Sequence, residues 1–142
     1  MGAAGADRVK MVAYWYPNNE TSSGREIQEP YKKKIDDDFY VMATYTGIQL
    51  LAKAIETSNS VEPLKVALAM EGIKVKSLNG KVEMRKSDHQ LQQPLYIATW
   101  SKVDGKTVKY DQENTGYGWK TDQKIETYVA TQPTSCRMKR PS

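Results

Sequence analysis

Residues 39–60, FYVMATYTGIQLLAKAIETSNS, constrain the fold of this chain more than any other stretch. Val41, Tyr45, Ile48, Ala52 and Ile55 recur at steps of three and four, the spacing that sets side chains on one helical face. Leu51 and Met42 widen that stripe, while Lys53, Glu56 and Thr57 stand off it. Asp36, Asp37 and Asp38 come just before, where negative charge suits the partly positive amino end of a helix. Ser58, Asn59 and Ser60 break the pattern, and Pro63 opens a second helical run. The spacing predicts a long helix that buries this stripe against something larger than itself, as ordinary core.

Around that helix the chain changes character twice. Val9 to Tyr16, VKMVAYWY, reads as an apolar and aromatic strand that Pro17-Asn18-Asn19 ends. Ser23 and Glu26 have capping-box spacing, which predicts a short helix from about Ser23 to Ile35 with Pro30 as a point of kinking. After the central helix, Leu64, Ala67 and Leu68 mark an amphipathic run over Val61 to Met70, and Gly72 is placed to stop it.

The second half reads as extended. Asn79-Gly80 is a tight-turn signal between Val75–Leu78 and Lys81–Met84. Pro94 to Val103 reads as a strand that Asp104-Gly105 turns back into Thr107–Tyr110, predicting a hairpin. Asn114 to Trp119 is turn-rich, Ile125 to Ala130 supports at most a short helix, and Gln132 to Ser142 is a polar tail.

A chain of 142 residues suits one domain and buries roughly two-thirds of its unfolded surface. No apolar run approaches the roughly 20 residues that span a bilayer. The net charge of +4 is modest, and Lys32–Lys34 are answered at once by Asp36–Asp38. Only in the tail, Arg137 to Arg140, are clustered charges all positive, so nothing resembles the concentrated basic face of a nucleic-acid module.

Cys136 is the one cysteine and His89 the one histidine. That rules out an internal disulfide and a thiolate metal cage, and leaves little for Ser-His-Asp chemistry. A carboxylate pair such as Glu83 and Asp88, or a tyrosine acid, is the residual enzymatic option, with nothing in the spacing to favour it. Met1 to Asp7 lacks the character of a secretory signal, and it runs directly into a strand. One leading strand, three helices and a late hairpin do not make a sheet covered on both faces. The pattern predicts that strands covered by these helices lie in a preceding part or a partner chain.

Tyr45, Leu51-Ala52, Ala54-Ile55, Ser60 and Pro63, then Gly80-Lys81-Val82, Asp88-His89-Gln90, Pro94-Leu95-Tyr96, Trp100 and Asp104-Gly105, form an ordered ensemble. Together they resemble the carboxy-terminal part of a periplasmic solute-binding protein of the branched-chain amino acid type, a receptor of ABC importers. The ending Cys136-Arg137-Met138-Lys139-Arg140-Pro141 is similar to that of many members.

The resemblance implies an α/β fold: part of the type I periplasmic-binding-protein architecture, with Rossmann-like lobes joined by hinge crossings and the first half of the chain missing. On that basis residues 1–17 are the last strand of lobe two and a hinge. Residues 18–92 are the returning part of lobe one, and residues 93–142 are the final crossing, a lobe-two hairpin and the tail. Tyr16, Pro17 and Asn18 form one hinge segment, and Gln93, Pro94 and Leu95 another. Tyr40, at the start of the central helix, walls the side-chain end of a ligand or packs in the core.

The resemblance further implies non-catalytic capture of branched-chain or related amino acids by lobe closure, in the periplasm, with no cofactor. The partners it implies are the membrane subunits of an ABC transporter, with the small ligand held only together with the missing first half. Cys136, in an oxidising compartment, either pairs with a cysteine outside this chain or stays an exposed thiol. For Tyr14, Trp15 and Tyr16, strand core is the reading ahead of the cleft mouth. His89 reads as exposed or structurally hydrogen-bonded, and Asp88 as a turn cap. The alternative to ligand capture is an interaction module that completes its fold with a partner chain or self-associates through uncovered edges and faces.

Overall fold

The computed structural model of the chain describes residues 1–19, 25–36 and 41–141. Two three-stranded antiparallel sheets organise it. The first has the order β1 (Lys10–Ala13), β5 (Leu95–Lys102), β6 (Tyr117–Ile125). Alternation along β5 sends Tyr96, Ala98 and Trp100 to one face, where they are at most 3 % exposed. Tyr16 and Trp119 complete this core, with edge-on ring pairs at 5.8 Å for Tyr16–Tyr96 and 5.0 Å for Trp100–Trp119. The amino terminus lies against it, since Trp100 Nε1 donates to the Gly2 carbonyl at 2.9 Å.

The strand opposite β5 is not Thr107–Tyr110 but β6, and β1 stops at Ala13 rather than Tyr16. The Asp104 carboxylate takes the backbone N–H groups of Lys106, Thr107 and Val108, which curls this stretch into a closed loop. Val108 then tucks inside at 1 % exposure, and pairing resumes only at Tyr117. Ile97 faces Gln123 while Ala98 faces Thr121, so Asp122 is the extra residue of a bulge. Its carboxylate accepts from Lys10 Nζ at 2.7 Å and from the Thr99 hydroxyl, which together hold it below the usual carboxylate range.

The second sheet has the order β2 (Lys74–Ser77), β3 (Gly80–Met84), β4 (Leu91–Gln92). Ser77 pairs with Gly80, so the two turn residues are Leu78 and Asn79, one position earlier than Asn79-Gly80. Gly80, at φ +87°, takes the left-handed geometry that closes such a turn. Leu78 and Asn79 are 2 % and 3 % exposed, so this tip points into the molecule.

The helices are α1 (Arg25–Ile35), α2 (Val41–Ser58), α3 (Pro63–Ala69) and the single turn α4 (Thr127–Ala130). α1 continues through Pro30, and the proposed cap residue Ser23 lies outside the described residues. Glu62 caps α3 by accepting from the Leu64 and Lys65 amides, with Pro63 at its first turn.

α2 packs on α3 and β2, but through a different face from the stripe expected of it. Thr46, Leu50 and Ala54, four apart, are buried at 3 %, 2 % and 0 %, whereas Ile48 is 60 % exposed and Leu51 42 %. The helix is apolar around well over half its circumference, and the described residues cover only one side. A second core cluster, Trp15 and Leu78 with Tyr14, Ile27 and Tyr45, joins α1 and α2 to the tip of the β2–β3 turn.

Candidate functional site: two crossings between two cores

Trp15 and Tyr16 are neighbours in sequence but plug different cores. Successive side chains of an extended segment point to opposite sides. Trp15 therefore enters the helical cluster with Leu78, and Tyr16 enters the aromatic cluster on the β1–β5–β6 sheet. The first crossing continues through buried Pro17 to Asn18, whose side chain is spent on one loop beyond β5. Its Oδ1 accepts from the Lys109 and Tyr110 amides at 2.9 Å each, and its Nδ2 donates to the Tyr110 carbonyl at 2.7 Å. Thr121 Oγ1 donates to the Asn18 carbonyl at 3.3 Å and accepts from the Tyr16 hydroxyl at 2.7 Å. Gly118 makes this seat possible, because a Cβ there would overlap the Tyr110 carbonyl oxygen.

The second crossing, Gln93-Pro94-Leu95, lies beside the first, since the β1–β5 ladder ends at the pair Ala13 and Tyr96. Pro94 has no N–H to extend that ladder. Both crossings meet at Asn79. Its Nδ2 donates to the Tyr14 carbonyl at 2.7 Å and the Pro94 carbonyl at 3.1 Å, and its Oδ1 accepts from the Tyr96 hydroxyl at 2.9 Å. Tyr16, Pro17 and Asn18 thus converge with Gln93, Pro94 and Leu95, while Tyr40 lies outside the described residues. Trp15 and Tyr16 are core as the sequence suggested, but they lie past the end of β1 rather than in a strand, and Tyr14 is only partly buried. Asn79 carries only a turn signal in the sequence, and Gly118 sits in the turn-rich stretch Asn114 to Trp119.

Of the cavities that flank the crossings, two differ sharply in their lining. One, of about 260 Å³, is walled mainly by Ala43, Thr46, Gly47 and Leu50 of α2 with Tyr14 and Gln93 from the two crossings. Its lining is mostly uncharged and apolar, a surface suited to a small aliphatic or aromatic group. The other, of about 250 Å³, lies on the far side of Pro17–Asn19, where Lys106, Lys109 and Lys120 give it a cationic rim.

Little in the described residues suits bond-making chemistry. Glu83 pairs with Lys74 at 3.2 Å. The Arg85 guanidinium grips Asp88 and holds its carboxyl far below the usual range, so Asp88 stays ionised, and it also caps its own turn through the Gln90 amide at 3.1 Å. His89 Nε2 stands 3.6 Å from Glu71, which Arg140 of the tail holds ionised by a 2.6 Å contact. Among the described residues no three His, Cys, Asp or Glu side chains gather where a metal ion would bind, and no helix is long and apolar enough to cross a membrane. Cys136 is exposed.

With this geometry in view, a family model described as "Periplasmic binding protein" matches residues 1–121. No curated protein matches the chain significantly. Among solved structures, a leucine-, isoleucine-, valine-, threonine- and alanine-binding protein from Brucella ovis, in its closed conformation, is similar over 99 % of this chain at 24 % identity, with a TM-score of 0.81. An ABC-transporter solute-binding protein from Rhodopseudomonas palustris, in complex with 3,4-dihydroxybenzoic acid, is similar over 89 % at 21 % identity and 0.73. An ABC-type branched-chain amino acid transporter protein from the same species is similar over 94 % at 19 % identity and 0.65. The chain spans 37 %, 33 % and 32 % of those three chains.

Proposed function

The chain belongs to the periplasmic binding protein family and holds part of the type I fold, and from that premise we propose that it supplies hinge and lobe elements of an importer's solute receptor. Residues 1–17 contribute a lobe-two strand and a hinge, residues 18–92 return to lobe one, and residues 93–142 cross back and end in the tail. Capture is non-catalytic: two lobes turn about the crossings and close over a small amino acid or aromatic acid. The membrane subunits of an ABC transporter are its partners, and the periplasm its site of action.

The convergence of the two crossings on a single buried turn carries this reading, because closure about a hinge needs strands held side by side between two separate cores. Tyr40, which precedes α2 in the sequence, is the residue proposed to meet the ligand's side chain, and the mostly apolar lining of the α2 cavity suits an aliphatic or aromatic group. Isothermal titration of leucine tests the proposal. The chain alone is expected to give no measurable heat. Joined to a first half of the same family, it is expected to bind at micromolar concentration. Silence in the joined form across aliphatic and aromatic ligands sinks the receptor reading, and micromolar binding by the chain alone sinks the need for a first half.

The exposed side of α2 favours a second reading, in which the chain completes its fold on another chain or on a copy of itself. Ile48 and Leu51 on α2, with Val61 at 82 % exposure and Leu68 at 44 %, leave apolar surface uncovered by the described residues. A clean monomer in light scattering, with a cooperative melt, would rule that reading out.

A further inference from the structure

We propose that Asn79 is the pin of the hinge, a positioning residue that fixes where the two halves turn; this rests on the two-lobe reading above. Its side chain has two donor hydrogens and one acceptor oxygen, and it divides them between the crossings. One hydrogen goes to the Tyr14 carbonyl just past β1, the other to the Pro94 carbonyl just before β5, and the oxygen takes the Tyr96 hydroxyl. Asn79 itself belongs to the β2–β3 turn of residues 18–92, whereas Tyr96 lies in the core of the β1–β5–β6 sheet. One buried side chain is thus bonded to both halves and to both strands between them.

Hydrogen bonds of 2.7 to 3.1 Å survive displacements of only tenths of an ångström. Rotation of one half displaces each point in proportion to its distance from the axis, so a group that stays bonded to both halves lies close to that axis. A second set of ties between the halves, along α1, has a different character. Glu29 accepts from the Tyr110 hydroxyl at 3.0 Å, Lys32 stands 4.0 Å from Asp111, and Asp36 accepts from Asn114 at 2.9 Å. Glu29, Asp36 and Asn114 are exposed, and exposed polar pairs are worth little and part readily in water. These contacts form the latch, while Asn79 forms the axle. The cost of losing each differs accordingly. Without Asn79 two carbonyls at a buried site lose their donor, whereas without the latch the same groups return to water.

The test uses the full chain with Cys136→Ser and spin labels on Lys65 of α3 and Lys102 of β5, both exposed. Asn79→Asp keeps the shape and removes both donor hydrogens, and Tyr96→Phe removes only the contact at the oxygen. The label-to-label distance distribution is expected to widen about twofold in Asn79→Asp and to stay near the parent width in Tyr96→Phe. A second variant, Glu29→Ala with Asn114→Ala, removes the Glu29 acceptor and the Asn114 donor and is expected to shift the mean distance without widening the spread. An unchanged width in folded Asn79→Asp, with a shifted mean in the latch variant, overturns the pin and leaves the two-lobe reading standing. No change in either variant overturns the two-lobe reading itself. If Asn79→Asp does not fold, the Asn79 side-chain NH2 of the parent is read by nuclear magnetic resonance. Exchange at least about tenfold slower than at the exposed Asn114 side chain supports the pin, and equal exchange overturns it.

Discussion

The β1–β5–β6 sheet and the helix α2 are comparably rich in large apolar side chains, and they dispose of them in opposite ways. On the sheet, Tyr16, Tyr96, Ala98, Trp100 and Trp119 are all at most 7 % exposed, covered by residues of the same cluster. On α2, Thr46, Leu50 and Ala54 are covered while Ile48 and Leu51 face outward. The aromatic cluster supplies its own cover, although Val12 on β1 faces outward at 65 %, and the helix has more apolar surface than the described residues cover. A segment with such an excess is matched to a neighbour, and the family's larger fold supplies the natural candidate. The tail underlines the contrast. It is fastened to the helical half by polar contacts, Arg140 to Glu71 and to the Lys86 carbonyl, with Arg85 reaching back to the Gln132 carbonyl.

The sharpest way to break this contrast is to empty the sheet's core. Trp100→Ala removes an indole that is 3 % exposed and rests on Trp119 and Tyr117. Urea denaturation is expected to show a loss of about 3–5 kcal/mol. A loss below about 1 kcal/mol would mean that the aromatic cluster is not a close-packed core. Gly118→Ala probes the seam where the first crossing meets the sheet. The added methyl overlaps the Tyr110 carbonyl, which is itself bonded to Asn18, and a cost of about 1–3 kcal/mol is expected by the same measurement. A neutral result would show that the Asn18 seat shifts freely.

How far these differences were readable beforehand depends on the kind of signal. The helices announced themselves through spacing, and α3 through its proline and the glycine that follows. The strand β6 escaped because Gly116 and Gly118 resemble a loop, although Tyr117, Trp119 and Thr121 alternate with Gly118 and Lys120 as far as the bulge at Asp122. The buried face of α2 was misjudged for a physical reason. Leu50, Ala54, Gly47, Leu51, Ile55, Ile48 and Ala52 follow one another around most of the helix, so periodicity finds a broad arc without saying which part meets the described core. Asn79 was seen as a turn residue, but its partner Tyr14 is 65 positions away, and no local pattern reports such a bond.

Acid should separate the polar fastening from the aromatic packing. The Arg140 hydrogen bond is the main cause holding the Glu71 carboxyl below its ordinary value of 4.5. A carboxylate depressed in the folded state contributes stability that is present above its unfolded pKa and lost as pH falls through the folded one. The melting temperature is therefore expected to stay level from neutrality to about pH 5 and to decline below about pH 4, with Arg140→Ala removing part of the decline. An identical acid profile in Arg140→Ala would show that the tail contact contributes nothing to the folded state.

The smallest effect on stability is expected from the side of α2 that faces outward. Ile48→Asp with Leu51→Asp places two charges at side chains that are 60 % and 42 % exposed, so the chain's own stability should change by no more than about 1 kcal/mol. Two aspartates in mid-helix lower helix propensity slightly, which accounts for a change of that size. If the excess apolar surface is what drives association, the same substitutions should abolish concentration-dependent light scattering while leaving the circular dichroism of the monomer intact. Loss comparable to that of Trp100→Ala would instead place Ile48 and Leu51 in a core of this chain. The asymmetry between sheet and helix would then disappear, and with it the argument that α2 is shaped for a neighbour.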